Sequence, residues 1–356
     1  MSQFNINSIT NKEGDFGPVI SGVSTNNSTG CMIIPAGPTE RRGPRSRGIF
    51  AGGSGNPAVN KDTIDFINIQ STGNAVDFGN MSATIARPGG VANSTRGLLV
   101  GGSGPSSPYY LNSIEYITMS SLGNSEDFAD VSTRLWYQSG GANDTRAVVG
   151  GGYGVPDATT NANNIEFITI ASLGTNSSDF GDLLYNTREH SATASPTRVV
   201  WFGGLGNPDG TTQSDGSTKN NTITFVEIAT TGNAENFGTL PTKTNSATAV
   251  SNGVRGFVTG GQTPSPLSAS DIFVITFASK GDATDFGDNL ATSPSYLPNI
   301  GTVANRNTAI DAGGVTTNVI QSFSMATTGQ SADFGDLTIA RYAPGGVSDS
   351  HGGLTE

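Results

Sequence analysis

The sequence predicts an all-β chain built from a repeated unit of four short strands. Three observations carry that expectation. An Asp-Phe-Gly triplet or close variant recurs seven times, at Asp15-Phe16-Gly17, Asp77-Phe78-Gly79, Asp127-Phe128-Ala129, Asp179-Phe180-Gly181, Asn236-Phe237-Gly238, Asp285-Phe286-Gly287 and Asp333-Phe334-Gly335. Successive Phe residues lie 62, 50, 52, 57, 49 and 48 positions apart, and a period near 50 that fills a chain marks a repeat array. Gly supplies 49 of 356 residues while charged residues are only 13%, which suits many tight turns and not a disordered chain. The apolar runs last four to six residues, long enough for strands and too short for helices.

The unit ending at Phe128 shows the elements in order. Gly89-Gly90-Val91-Ala92 is the first expected strand, a. Asn93-Ser94-Thr95 follows as a turn, because such side chains bond their own backbone. Arg96 to Gly102 reads as strand b and Ile114 to Met119 as strand c. Ser121-Leu122-Gly123-Asn124 turns the chain into strand d around Glu126-Asp127-Phe128. Strand b recurs from Arg47, Arg146, Arg198 and Arg255, each ending in Gly-Gly, with a degenerate copy from Thr308 to Gly314. Strand c recurs from Ile64, Ile165, Ile223, Ile272 and Ile320.

Four strands per unit, with Gly-Gly closing the second, resemble kelch-type β-propeller repeats over almost the whole chain. The resemblance implies an architecture and leaves function open. The ends sharpen it. Phe4 to Asn7 and Gly14 to Gly17 look like strands c and d without a and b, whereas Gly345 to Val347 and His351 to Leu354 look like a and b without c and d. Joined, they would form one blade. The expectation is therefore a single seven-bladed propeller over residues 1–356, closed by a composite blade of 1–20 plus 342–356. Internal blades would run about 28–80, 88–131, 139–183, 190–240, 246–289 and 300–337.

The repeated residues read as scaffold. Phe of the triplet would pack between blades and its Gly permit a close backbone approach. A kinase magnesium site uses one such triplet with a catalytic His-Arg-Asp, and that partner motif is not evident here. The Arg opening strand b, at 47, 96, 146, 198 and 255 with His351 in the equivalent place, has two readings. One is a repeated ion pair or carbonyl contact, perhaps to the triplet Asp; the other is an anion-binding cluster. A residue present in nearly every repeat favours the structural reading. The Gly-Gly pairs lack the Lys-Ser/Thr of a phosphate loop. The Asp-rich stretch 207–216 lacks the alternating ligands of a calcium loop, so no metal is expected.

Composition narrows the function. A net charge of −11 disfavours a nucleic-acid partner. Cys31 is the one cysteine, so no intrachain disulfide or thiolate cage forms. The N-terminal residues lack the pattern of a secretory signal, and no run is long enough to insert in a membrane. Two histidines, His190 and His351, offer no catalytic triad or copper-ligand set. A non-enzymatic protein with no cofactor is expected; carboxylate pairs alone keep an enzyme open.

Binding is the favoured class. In a propeller the b–c and d–a connections emerge on one face. They carry Tyr109, Tyr110, Trp136, Tyr137, Tyr153, Tyr185, Tyr296 and Tyr342, which include seven of the eight tyrosines. Such side chains join a flat apolar face to a polar tip, as sugar or protein recognition requires. Equally, several of them could plug the central channel. The wording Ser71-Thr72-Gly73-Asn74-Ala75-Val76-Asp77-Phe78-Gly79, echoed at Thr231 to Ala234 and Thr328-Gly329, is similar to kelch-like repeats of marine bacteriophage structural and tail-fibre proteins. That resemblance implies a virion component, made in the host cytoplasm and present in several copies. Its partners would be other virion proteins and a host-surface glycan or receptor. A capsid-surface decoration protein and a bacterial carbohydrate-binding propeller are the alternatives.

Overall fold

Strands b are mostly apolar after their opening residue because both of their faces are covered. Leu98, Leu99 and Val100 are at most 1% exposed, and near-continuous apolar runs are what a sheet buried on both sides demands. These strands belong to a computed structural model that describes residues 24–25, 32–33, 46–55, 59–106, 109–154, 160–206, 218–263, 270–290, 300–314 and 317–355. Met1–Arg45 and Ser46–Glu356 form two compact units. In the first, Ser24–Thr25 pairs antiparallel with Met32–Ile33.

The second unit is a β-propeller-like arrangement of six antiparallel blades, each with strands in the order a-b-c-d. Blade 1 comprises Gly345–Ser348, Arg47–Ala51, Thr63–Asn68 and Val76–Asn80; blade 2 comprises Gly89–Ala92, Arg96–Val100, Ser113–Thr118 and Glu126–Asp130. Blade 3 is Ser139–Ala142, Arg146–Gly154, Thr160–Thr169 and Ser178–Arg188, and its sheet gains two short strands, Leu135–Trp136 and Leu205–Gly206. Blade 4 is Ser191–Ala194, Arg198–Phe202, Asn220–Glu227 and Glu235–Thr244; blade 5 is Thr248–Ser251, Arg255–Thr259, Asp271–Thr276 and Thr284–Asp288. Blade 6 is Gly301–Ala304, Thr308–Ala312, Val319–Ser324 and Ala332–Asp336.

Among the described residues the blades number six, not the expected seven. Gly345–Ser348 is an inner strand, as expected, but its partner is Arg47–Ala51, in the register Gly345↔Ala51 to Ser348↔Gly48. The C-terminus thus completes the first internal blade by one strand joined to three. His351 to Leu354 forms a turn and not a second strand. The expected N-terminal strands around Phe4 and Phe16 lie outside the described residues.

Three sets of contacts join the blades. First, each outer strand bonds the c–d turn of the next blade. Gly123 N donates to Phe78 O at 2.9 Å, and Gly73 N donates to Phe334 O at 2.9 Å, which links blade 6 back to blade 1. The triplet Gly is needed there: a Cβ on Gly79 would sit 2.3 Å from Gly123 O. The exception explains itself. Ala129 faces the blade 3 turn, where the bonded residues Gly174 and Ser177 are three apart, against two for Gly123 and Ser125; the longer turn leaves room for a methyl group.

Second, the strand b Arg reaches the end of strand c in the following blade. Arg47, Arg96 and Arg146 donate to Met119 O, Ile170 O and Ile228 O, each at 2.8 Å. Arg198 donates to Phe277 O at 2.5 Å, and Arg255 bonds Met325 O. The recurrent Arg is therefore a carbonyl contact, with its guanidinium over an aromatic ring of its own blade, as Arg146 lies 4.4 Å from Phe167. Asp77, Asp127, Asp179, Asp285 and Asp333 of the triplets are exposed.

Third, in blades 1, 2, 3 and 6 a buried polar residue after the first Ile of strand c captures the preceding connection. Glu115 accepts from Ser82 N at 3.2 Å and Glu166 from Ser132 N at 3.0 Å. At the seam between blades 6 and 1, Thr308 replaces the strand b Arg, and a separate lock appears. Arg341 Nη2 meets Asp65 Oδ2 at 3.0 Å, both side chains fully buried, and Thr338 Oγ1 donates to the same carboxylate at 2.6 Å.

Candidate functional site at the channel mouth

The inner strands carry small residues because six of them converge. A Cβ on Gly90 would lie 2.3 Å from Gly346 O, and one on Gly346 would lie 2.1 Å from Thr302 O. Gly90, Gly140, Ala192, Ala249, Thr302 and Gly346 line a narrow central channel.

One end of the channel is occupied by the chain itself. Beyond Ser348 the backbone crosses from blade 1 to the opposite side. His351 Nε2 donates to Ala92 O at 2.6 Å, Gly352 N to Ser251 O at 3.0 Å, and Thr355 N to Asp144 Oδ2 at 3.0 Å. Arg306 bonds Leu354 O. Gly353 N donates to His351 Nδ1 at 3.1 Å, so this ring is held neutral, and burial pushes its pKa below the usual histidine range. His351 is thus a wedge in this crossing segment and not the equivalent of the strand b Arg.

The other end opens among the b–c and d–a connections as a cavity of ≈ 160 Å³. Its rim is set by a repeated backbone feature. Two residues before strand a, Arg87, Tyr137, Glu189, Ser246 and Ala343 have φ of 56°, 60°, 54°, 55° and 54°. None is Gly, although the left-handed region costs a residue with a Cβ about 1–2 kcal/mol. The common conformation turns the chain into the inner strand and is scaffold. The identities differ at every described position, and all five residues line the mouth.

An aromatic cluster stands beside this rim and reaches the cavity through Tyr137. Trp136 and Tyr153 face each other in a strand pair. Tyr110 stacks on Trp136 with centroids 5.4 Å apart and planes 22° apart, and Tyr137 lies 4.2 Å from Trp136. Tyr153 is 6.2 Å from Tyr110. Two cations border the rings. Arg87 lies 4.3 Å from Tyr137, 5.1 Å from Trp136 and 5.6 Å from Tyr342. Arg188 lies 4.5 Å from Tyr153 and 3.7 Å from Glu189. Glu189 also accepts from Asn245 Nδ2 at 2.7 Å and from Ser246 Oγ at 2.6 Å.

Of the residues singled out from sequence, Tyr110, Trp136, Tyr137, Tyr153 and Tyr342 thus meet in one cluster. Tyr109 is 60% exposed and makes no ring contact among the described residues. Tyr185 stands apart, its hydroxyl donating to Asn220 Oδ1 at 2.9 Å. Tyr296 lies outside the described residues. Burial pushes the Tyr137 and Tyr185 phenols up to about 12, and it raises Tyr110, with Tyr153 adding to the rise. These groups present neutral hydroxyls and ring faces. Buried His190 is pushed down to about 4, its Nε2 held 3.0 Å from Gly150 O. Among the described residues, no three His, Cys, Asp or Glu gather as a metal site.

Arg87, Arg188 and Glu189 were not picked out by composition or motif. One signal would have found Arg87 and Glu189. Aligning the repeats on strand a places Arg, Tyr, Glu, Ser and Ala in one column, and a column that varies inside a strongly repeated frame is where specificity can reside. No protein-family model matches the chain, and no curated protein sequence matches it.

Proposed function

We propose that this chain is a non-enzymatic recognition propeller that binds a glycan at the aromatic rim of its channel, and that it serves in a phage tail appendage. One observation carries the binding reading. Four rings in stacked, tilted and edge-on contact and two guanidiniums gather beside the channel mouth, which no described residue covers. Flat ring faces beside hydroxyl and guanidinium donors suit a sugar, whose C–H face stacks while its hydroxyls bond. The virion setting, with multiple copies and contacts to other virion proteins, rests on the likeness of the repeat wording to marine phage proteins. Shallow single-site binding suits that setting, because linked copies raise effective concentration by orders of magnitude.

The experiment uses purified chain and the bacterium on which the particle grows. The chain is expected to coat the cells, periodate oxidation of surface sugars to abolish the coating, and Trp136→Ala with Tyr137→Ala to weaken it without lowering the melting temperature by more than a few degrees. Normal coating by the double variant refutes the rim as the site. Coating that survives periodate and is lost after protease treatment of the cells replaces the glycan with a protein receptor. Finding the chain spread over the capsid, with no affinity for cells, replaces the tail reading with decoration.

A further inference from the structure

Arg87 shares the channel mouth with Glu189 but forms no ion pair among the described residues, whereas the neighbouring Arg188 has Glu189. Glu189 is saturated in turn by Asn245 and Ser246. Arg87 Nε is buried and has no hydrogen-bond partner. Its guanidinium is clasped by Tyr137, Trp136 and Tyr342. Rings over the faces of a guanidinium attract the cation, yet they leave its in-plane N–H groups without acceptors. The backbone that places this side chain is in the left-handed region, φ 56°. The other side of the mouth is lined by small residues, Ser246 and Ala343, so the cavity stays open beside the cation.

A planar cation with free in-plane donors at the edge of an aromatic collar is built to receive a carboxylate, which matches its fork with two parallel bonds. We propose that the channel mouth is a carboxylate subsite: Arg87 takes the carboxylate of an acidic sugar whose ring lies against Tyr137, the member of the aromatic cluster that lines the mouth. This rests on the glycan reading above and specifies its ligand class. A chain of net charge −11 gains nothing from long-range attraction to an acidic polymer, so recognition must come from this local cation at close range.

The test is a glycan array in which uronic- and nonulosonic-acid sugars are printed beside the same sugars after carboxyl reduction. The unaltered chain is expected to bind at least one acidic glycan and to lose tenfold or more in affinity for its reduced counterpart. Arg87→Gln should lower affinity for the acidic form about tenfold and leave the reduced form unchanged. Arg87→Lys, which keeps the charge and loses the fork, should fall between. Equal binding to acidic and reduced forms, or binding to neutral glycans alone, overturns the carboxylate subsite while the glycan reading stands. Binding to no glycan overturns both. Should Arg87→Gln fail to fold, the acidic-against-reduced comparison on the unaltered chain still decides.

Discussion

Replacing Asp311 with Asn is expected to stabilise the protein in a manner that grows with pH. Asp311 sits in strand b of blade 6, is 1% exposed, and has only neutral partners. Thr259 Oγ1 donates to its Oδ2 at 2.6 Å, Asn289 Nδ2 bonds that same hydroxyl at 2.6 Å, and Oδ1 has no partner. Burial pushes its pKa from 3.8 up to about 7 against the opposing hydrogen bonds. The raised value means that the folded state holds a proton the unfolded chain releases. The cost of ionisation therefore begins as pH rises above 3.8 and is complete above about 7. Between pH 5 and pH 8 the folded chain should lose about 3 kcal/mol on this account, at ~1.4 kcal/mol for each of roughly two pH units. Asn cannot ionise and keeps the acceptor for Thr259. Urea unfolding followed by tryptophan fluorescence should show the variant's advantage widening by about that amount from pH 5 to pH 8. A difference that stays constant across the range would refute the buried, ionisable carboxyl.

His190 works in the opposite sense. Its depressed pKa, about 4, makes stability fall as pH drops from 6.5 through 4, so His190→Gln should flatten the acid limb of a melting-temperature profile. Arg96→Ala should cost about 1–3 kcal/mol by leaving Ile170 O without its donor, a loss visible in thermal unfolding with glycan binding unchanged; selective loss of binding would restore the anion-site reading of these arginines. Asp65→Ala should cost about 3–5 kcal/mol by stranding buried Arg341, and hydrogen exchange should rise first along the seam between blades 6 and 1. Gly346→Val should prevent folding, since its side chain would displace the Thr302 backbone.

What the sequence determined by itself is local and periodic. Strand order, strand lengths, the Gly of the triplet and the structural role of the recurrent Arg are legible because each copy of the unit faces the same neighbour in the same way. One substitution in seven, Ala129, is matched by one lengthened turn after Gly174. The number of blades was not legible. Gly345–Ser348 reads correctly as an inner strand, but its partner begins at Arg47, about 300 residues away, and repeats that look alike do not say which of them lacks its inner strand. Only ring closure assigns the pair. The site divides in the same way. Its aromatic residues were expected on one face from their place in the connections, since composition signals ring faces. The meeting of Tyr110 with Trp136, and of Arg87 with rings from both sides, depends on how neighbouring blades sit side by side. That arrangement is set by the packing of the inner strands around a narrow channel, a property of the closed ring and not of any one repeat.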